Sequence, residues 1–240
     1  MRHTHLSHQS ISSSIKKVLL DILFPPVCIH CKNAIPRQEL FLCDACRDDI
    51  QTFNALYCPS CNARRPTYDP CHPKEKYLIA PACRYEGPIV SLLHAFKYQR
   101  LAGIETFLSA LAIAHLSSLG IPLQDYTVVP IPLASAREHQ RGFNQSRLIA
   151  TRIAHYFHIP YQEMLIRTKV TQSQAQQKDA AHRAMNVAGC FSLAENVSPV
   201  STKIMLVDDV TTSGATLHEA SMLLTAHGAR HIIASVIARA

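Results

Sequence analysis

The residues with the most chemistry in this chain form one block, Ile204-Met205-Leu206-Val207-Asp208-Asp209-Val210-Thr211-Thr212-Ser213-Gly214-Ala215-Thr216. An apolar, strand-like run ends in two adjacent carboxylates, and a short hydroxyl-rich loop then opens a helix. Backbone N–H groups at a helix amino terminus, joined by the hydroxyls of Thr212, Ser213 and Thr216, make a site for a phosphate monoester. Gly214 lets the backbone approach the anion closely. Asp208 and Asp209 stand too near that anion to ligate it, because like charges repel. They suit the hydroxyls of a sugar that carries the phosphate, or the water shell of Mg2+. Ribose 5-phosphate meets both demands. Asp, Ser and Thr alone would read as ordinary turn and cap residues, but the whole block in this order favours the sugar phosphate.

Cysteines supply a second chemistry: of the nine, all but Cys190 lie between Cys28 and Cys83. Cys28-x-x-Cys31 and Cys43-x-x-Cys46 are separated by eleven residues, which lets four thiolates converge on Zn2+ at about 2.3 Å each. Four thiolates leave no open coordination position, so such a zinc is structural. Cys58-x-x-Cys61 and Cys71 make a second, incomplete set, with Lys74 where a fourth cysteine is expected. Either His72 or Cys83 completes it, or the thiols stay bare. A site crossed between Cys28, Cys31, Cys58 and Cys61 is also compatible with the spacing. Cys190 alone reads as a packed thiol.

These groups need a scaffold, and 240 residues that are 48% hydrophobic and 17% charged can bury one medium domain with a smaller companion. A disordered or fibrous protein is excluded. The net charge of +7 suits polyanionic or phosphorylated partners. No apolar run reaches the roughly 20 residues of a bilayer span. Val18-Leu19-Leu20-Asp21-Ile22-Leu23-Phe24 runs into Pro25-Pro26 without the small-residue cleavage site of a secretory signal. Ile11, Ile15, Val18, Leu19, Ile22 and Leu23 recur at helical spacing, predicting an amphipathic helix that packs on the protein or docks on a membrane surface through Lys16 and Lys17. The expected location is the reducing cytoplasm, where paired cysteines ligate metal.

The organisation read from these patterns is a tail and helix at 1–25, a zinc-ribbon domain at 26–84 and an α/β domain at 85–240. Within the last, Leu101, Ile104, Leu108, Leu111 and Ala112 share a helix face, and 126–132 reads as a strand ended by prolines. A helix is predicted over 144–157 with Leu148, Ile149, Ile153, Tyr156 and Phe157 inward, then a short strand at 165–167. Strands at 203–207 and 232–237 flank a helix carrying Leu217, Ala220, Leu223 and Leu224 and stopping at Gly228. That βαβ unit implies a parallel sheet.

The block at 204–216 resembles the phosphoribosyl pyrophosphate (PRPP) motif of type I phosphoribosyltransferases, with Ser213 at a position usually Thr. Joined to the double zinc ribbon, it is similar to the ComF family. Further matches are Arg84-Tyr85-Glu86-Gly87-Pro88, His94-Ala95-Phe96-Lys97-Tyr98, Val129-Pro130-Ile131-Pro132, Arg141-Gly142-Phe143-Asn144-Gln145-Ser146, Gln174 with Arg183 and Asn186, and Ala238-Arg239-Ala240. The likeness runs from about Leu23 to the end, with Lys74 its departure.

This resemblance implies a type I phosphoribosyltransferase-like α/β fold, a parallel sheet with helices on both faces, preceded by a small zinc-ribbon domain. It implies that Asp208 and Asp209 hold the ribose hydroxyls at the catalytic position. Val210, Thr211, Thr212, Ser213, Gly214, Ala215 and Thr216 then complete the PRPP site around the 5-phosphate. Pyrophosphate is expected near 129–133, with Lys97, Arg137 and Arg141 neutralising it beside Mg2+. Residues 171–178 read as a lid or as an exposed connector. The implied cofactors are structural Zn2+ and PRPP-bound Mg2+. The implied partners are PRPP or a related ribose phosphate, single-stranded DNA, and other competence or DNA-uptake proteins in natural transformation. Arg64, Arg65, Arg137, Arg141 and Arg147 are candidates to meet a phosphate backbone. Aromatic content of 7% without Trp argues against sequence-specific readout. The alternative is an active phosphoribosyltransferase or PRPP hydrolase with a small-molecule acceptor that no residue pattern identifies.

Overall fold

The computed structural model describes residues 25–36, 41–66, 71, 72, 74–99, 101, 103–168, 189–195, 197 and 202–240. The expected amino-terminal helix, the 171–178 segment and Gln174, Arg183 and Asn186 lie outside the described residues.

Continuous apolar runs, rather than alternating ones, are what strands buried on both faces require. β3 (Tyr77–Arg84), β4 (Thr127–Pro130), β7 (Lys203–Thr211) and β8 (His231–Arg239) are such runs, and they pair in parallel in the order β3-β8-β7-β4. β1 (Leu56–Tyr57) and β2 (Arg64–Arg65) extend the sheet beyond β3 as an antiparallel hairpin. The strand just before residue 84 is therefore inside the α/β sheet, with Leu78 opposite Ile233 and Ala80 opposite Ser235. Ribbon and sheet share this strand rather than meeting at a linker.

Successive strand residues point to opposite faces and so feed two cores. Leu78, Val128, Met205 and Ile233 pack under α2 (Pro88–Tyr98), α3 (Ile104–Ser118) and α5 (Gln145–Phe157). Ile79, Val129, Leu206 and Ala234 pack under α6 (Ala215–Ala226) and an antiparallel pair, β5 (Leu165–Arg167) with β6 (Phe191–Leu193). Helices thus cover both faces, as expected. A short α1 (Asp44–Asp48) follows Cys43, and α4 (Ser135–Arg141) lies between β4 and α5.

Local expectations hold with three adjustments. The strand predicted at 126–132 is only β4, because Pro130 and Pro132 limit the ladder. Leu101 precedes α3 and is exposed. Tyr156 was expected inward but points to solvent at 56% exposure, while Ile149 and Ile153 fill the interior face of α5. Cys190 is a buried thiol, and α6 ends just before Gly228, whose φ is +112°.

Two hydrogen bonds bring the start of α5 to the sheet edge. Asn144 caps α5 by accepting from the Ser146 N–H at 3.0 Å, and its Nδ2 donates to the Ile131 carbonyl at 3.0 Å. Ile131 in turn donates from its N–H to Val207 at 2.9 Å. The loop after β4 is therefore held beside the carboxyl end of β7.

Candidate functional site

β7 keeps its pairing with β8 past the end of β4, so Asp208 is its first residue without a β4 neighbour. A cavity of about 510 Å3 opens there, at the carboxyl ends of the parallel strands, where open α/β sheets bind ligands. Of the residues expected at a sugar-phosphate site, Asp208, Asp209, Val210, Thr212, Thr216, Lys97, Arg137 and Arg141 line it. Thr211 is buried as the last residue of β7, its carbonyl accepting from the Ala240 N–H. Ser213, Gly214 and Ala215 do not line the cavity; Gly214 has φ +74° and caps α6.

Tyr85, Tyr98, Gln140, Gln145, Ser146 and Arg167 also line it. All but Gln140 and Arg167 belong to the quoted family stretches, but no role was legible for them. Arg167 comes from β5 and joins Arg137 and Arg141 at the cavity, which only the tertiary structure reveals.

The acidic pair is held by short contacts. Ser146 donates from Oγ to Asp208 Oδ1 at 2.8 Å, the Asp209 N–H donates to the same oxygen at 2.9 Å, and Lys97 Nζ lies 2.6 Å from Asp209 Oδ2. Burial, followed by the charge of Asp209, pushes the Asp208 carboxyl up to about 7. Burial works to discharge Lys97, but Asp209 and then Asp208 outweigh it and hold its pKa above the ordinary value. Lys97, a candidate to neutralise pyrophosphate, is ion-paired to Asp209 in this structure. Arg141 donates to Gln145 Oε1 at 3.0 Å and lies over the Tyr98 ring, and burial with Arg167 and Arg141 nearby lowers the Arg137 pKa. The cavity thus holds four cationic side chains against two carboxylates.

The cysteines form two separate four-donor clusters, Cys28, Cys31, Cys43 and Cys46, and Cys58, Cys61, Cys71 and His72. Within each cluster the donor atoms lie within 4.8 Å of one another. Tetrahedral zinc with thiolates at about 2.3 Å sets neighbouring donors about 3.8 Å apart, so both sets fit the ion. The crossed arrangement is overturned. His72 completes the second set, with Nδ1 3.4 Å from Cys58 Sγ and 3.2 Å from Cys71 Sγ, whereas Cys83 is buried in β3 opposite Ala238. Both knuckles repeat one turn. The Lys32 and Asn62 N–H groups return to the Cys28 and Cys58 carbonyls at 3.0 Å, each from a left-handed residue. Burial raises the pKa of Cys28 and Cys58, but backbone N–H donors of Cys31, Cys43 and His30 at the first, and of Cys61 with the His72 and Cys71 side chains at the second, outweigh it and bring each thiol to about 6, the thiolate that a metal needs.

A double zinc ribbon family model matches residues 19–85. Fold and clusters together define a parallel α/β protein fused to a double zinc ribbon. The chain is 30% identical over 234 residues to competence protein F of Haemophilus influenzae, covering 89% of this chain and 96% of that protein. It is 30% identical over 217 residues to the DNA utilization protein YhgH of Salmonella typhi (85% and 93%) and 27% identical over 224 residues to competence protein ComFC of Bacillus subtilis (84% and 90%). The chain belongs to the ComF family. Among the described residues, no helix is long and apolar enough to cross a membrane.

Two outcomes are expected. Metal analysis of the purified chain will find zinc at both clusters, and His72→Ala will lose the second ion while Lys74→Ala keeps it. Second, an unfolded Asp208 titrates near 3.8, so between there and about 7 the folded chain holds a proton that the unfolded chain releases. Stability therefore falls as pH rises through that window. Asp208→Asn removes the penalty, so its Tm should exceed the parent's by several degrees at pH 8, by roughly a third of that margin at pH 5 and by nothing below about pH 4, as thermal unfolding will read.

Proposed function

We propose that this chain binds PRPP or a related ribose phosphate with Mg2+, binds single-stranded DNA, and assists DNA uptake in natural transformation from the cytoplasmic side. The observation that carries the ligand is the cavity that joins the Asp208–Asp209 pair, the Thr212 and Thr216 hydroxyls near the amino end of α6, and three guanidinium groups. Carboxylates accept from a diol, and hydroxyls with a helix amino terminus take an anion. Arg137, Arg141 and Arg167 provide for further phosphate charge. The Gln145 Nε2, buried and without a hydrogen-bond partner among the described residues, borders the same space and has a donor to offer. Asp208 and Asp209 are the hard oxygen donors available to Mg2+, which would supply charge neutralisation to the phosphates.

The role in DNA uptake rests on the relatives' names, competence protein and DNA utilization protein. The charge of +7 and the exposed Arg64 on edge strand β2 support contact with a phosphate backbone. Arg84 over Phe53 and Arg239 over Tyr57 add cation–aromatic pairs on the ribbon side of the sheet. Arg147 leaves this set: it is ion-paired to Glu138 at 2.8 Å and Glu163 at 2.9 Å.

Calorimetry with PRPP and Mg2+ tests the site. The parent chain will bind, and the double variant Asp208→Asn, Asp209→Asn will lose binding while remaining folded; equal affinity would remove the assignment. Following pyrophosphate release in the same mixture distinguishes turnover from binding alone. For the nucleic acid, the logarithm of the affinity for a single strand should fall linearly with log salt, and an affinity indifferent to salt rejects backbone contact.

A further inference from the structure

The second zinc knuckle touches the loop that leads into α6 through a chain of contacts not used above. Glu75 is its centre. Its N–H donates to the carbonyl of the ligand His72 at 3.0 Å, and its Oε1 accepts from Ser60, which lies between Cys58 and Cys61. Its other oxygen faces His218 Nδ1 at 3.5 Å, and the His218 N–H donates to the Gly214 carbonyl at 2.8 Å. Tyr77, almost fully buried, donates from its hydroxyl to that same carbonyl at 3.3 Å. A Cβ on Gly214 would meet the Tyr77 hydroxyl at 3.1 Å, so the two surfaces are already in close contact. A second line runs through Asn62, which accepts from Arg239, the register partner of Thr211.

The knuckle cannot hold these groups by apolar burial. Among the described residues from 58 to 75, only Cys58 is buried. Where burial is absent, metal ligation supplies the folding energy and sets the geometry of the turns. The first knuckle is directed elsewhere: His30 hydrogen-bonds Ser91 on α2, and Phe41 packs against Gly103 before α3. The two centres therefore face different parts of the molecule, one the helical layer and one the loop beside the cavity.

We propose that the second zinc knuckle sets the conformation of residues 212–218, the loop and first turn of α6, with Glu75 and Tyr77 as positioning residues for the phosphate group that segment receives. The ligand part rests on the sugar-phosphate reading above, whereas the mechanical part does not. Ligation at Cys58, Cys61, Cys71 and His72 holds Ser60, Asn62 and Glu75 in place. Glu75 and Tyr77 then hold His218 and the Gly214 carbonyl, which orients the N–H groups at the start of α6. Neither positioning residue lines the cavity.

The experiment uses the full zinc-loaded chain and two readouts, hydrogen exchange of the 212–218 amides without ligand and calorimetric titration with PRPP and Mg2+. Glu75→Ala and Tyr77→Phe are expected to speed exchange across the loop and weaken PRPP about three- to tenfold, the loss of one hydrogen bond, with zinc content unchanged. Glu75→Gln, which keeps polar partners for Ser60 and His218, restores most of both. Cys71→Ser, which removes a ligand of the second ion, reproduces the loss. Ser91→Ala, which cuts the hydrogen bond of the first knuckle to α2, alters neither readout. Loop exchange in Glu75→Ala and Cys71→Ser equal to that of the parent overturns the coupling, and does so even if PRPP binds. A parent chain that ignores PRPP while its loop still responds to Glu75→Ala upholds the coupling and overturns the ligand reading instead.

Discussion

The site depends on one mismatch of strand length. β7 is buried on both faces and paired on both sides up to Val207, and β4 then ends while β8 continues. Through that register a carboxylate would have no water and no partner, which costs several kcal/mol per ion. One residue later the neighbour is gone, the chain after β4 is held aside by Asn144, and Asp208 and Asp209 reach a cavity. Strand pairing thus delivers the carboxylates to the end of β7 that opens on the cavity.

Their charges are then kept in tension. Lys97 neutralises Asp209, while burial and then the Asp209 charge move the titration of Asp208 towards neutrality, against the Ser146 hydroxyl and the Asp209 N–H that favour its carboxylate. Arg137, Arg141 and Arg167 sit around the same space without a further carboxylate among the lining residues. The cavity thus sets two carboxylates and a lysine beside three guanidinium groups in one space.

Zinc and sheet are parts of one construction. An exposed edge on β3 would invite pairing with another chain, and the ribbon hairpin β1–β2 occupies it. The ribbon has few buried side chains of its own and gains its shape from two ligated turns of nearly identical backbone. The first is braced on the helices of one face, the second on the turn beside the cavity.

Much of this was legible from residue types alone. Cys-x-x-Cys pairs announce metal because thiolates at that spacing share an ion, and an apolar run ending in Asp-Asp, hydroxyls and Gly announces a strand, a turn and a helix because each piece has a local physical cause. The βαβ unit around α6 and the helix at α5 were readable for the same reason. What needed the tertiary structure was every relation between distant segments. His72 rather than Cys83 as the fourth donor depends on which way β3 carries Cys83, and that is into the sheet core. Arg167 joins Arg137 and Arg141 at the cavity only in the tertiary structure, and Lys97 and Arg147 meet carboxylates remote in sequence. Sequence determines which groups exist and their local turns; long-range packing decides which charges meet, since a pair's energy depends on distance and burial that no local pattern encodes.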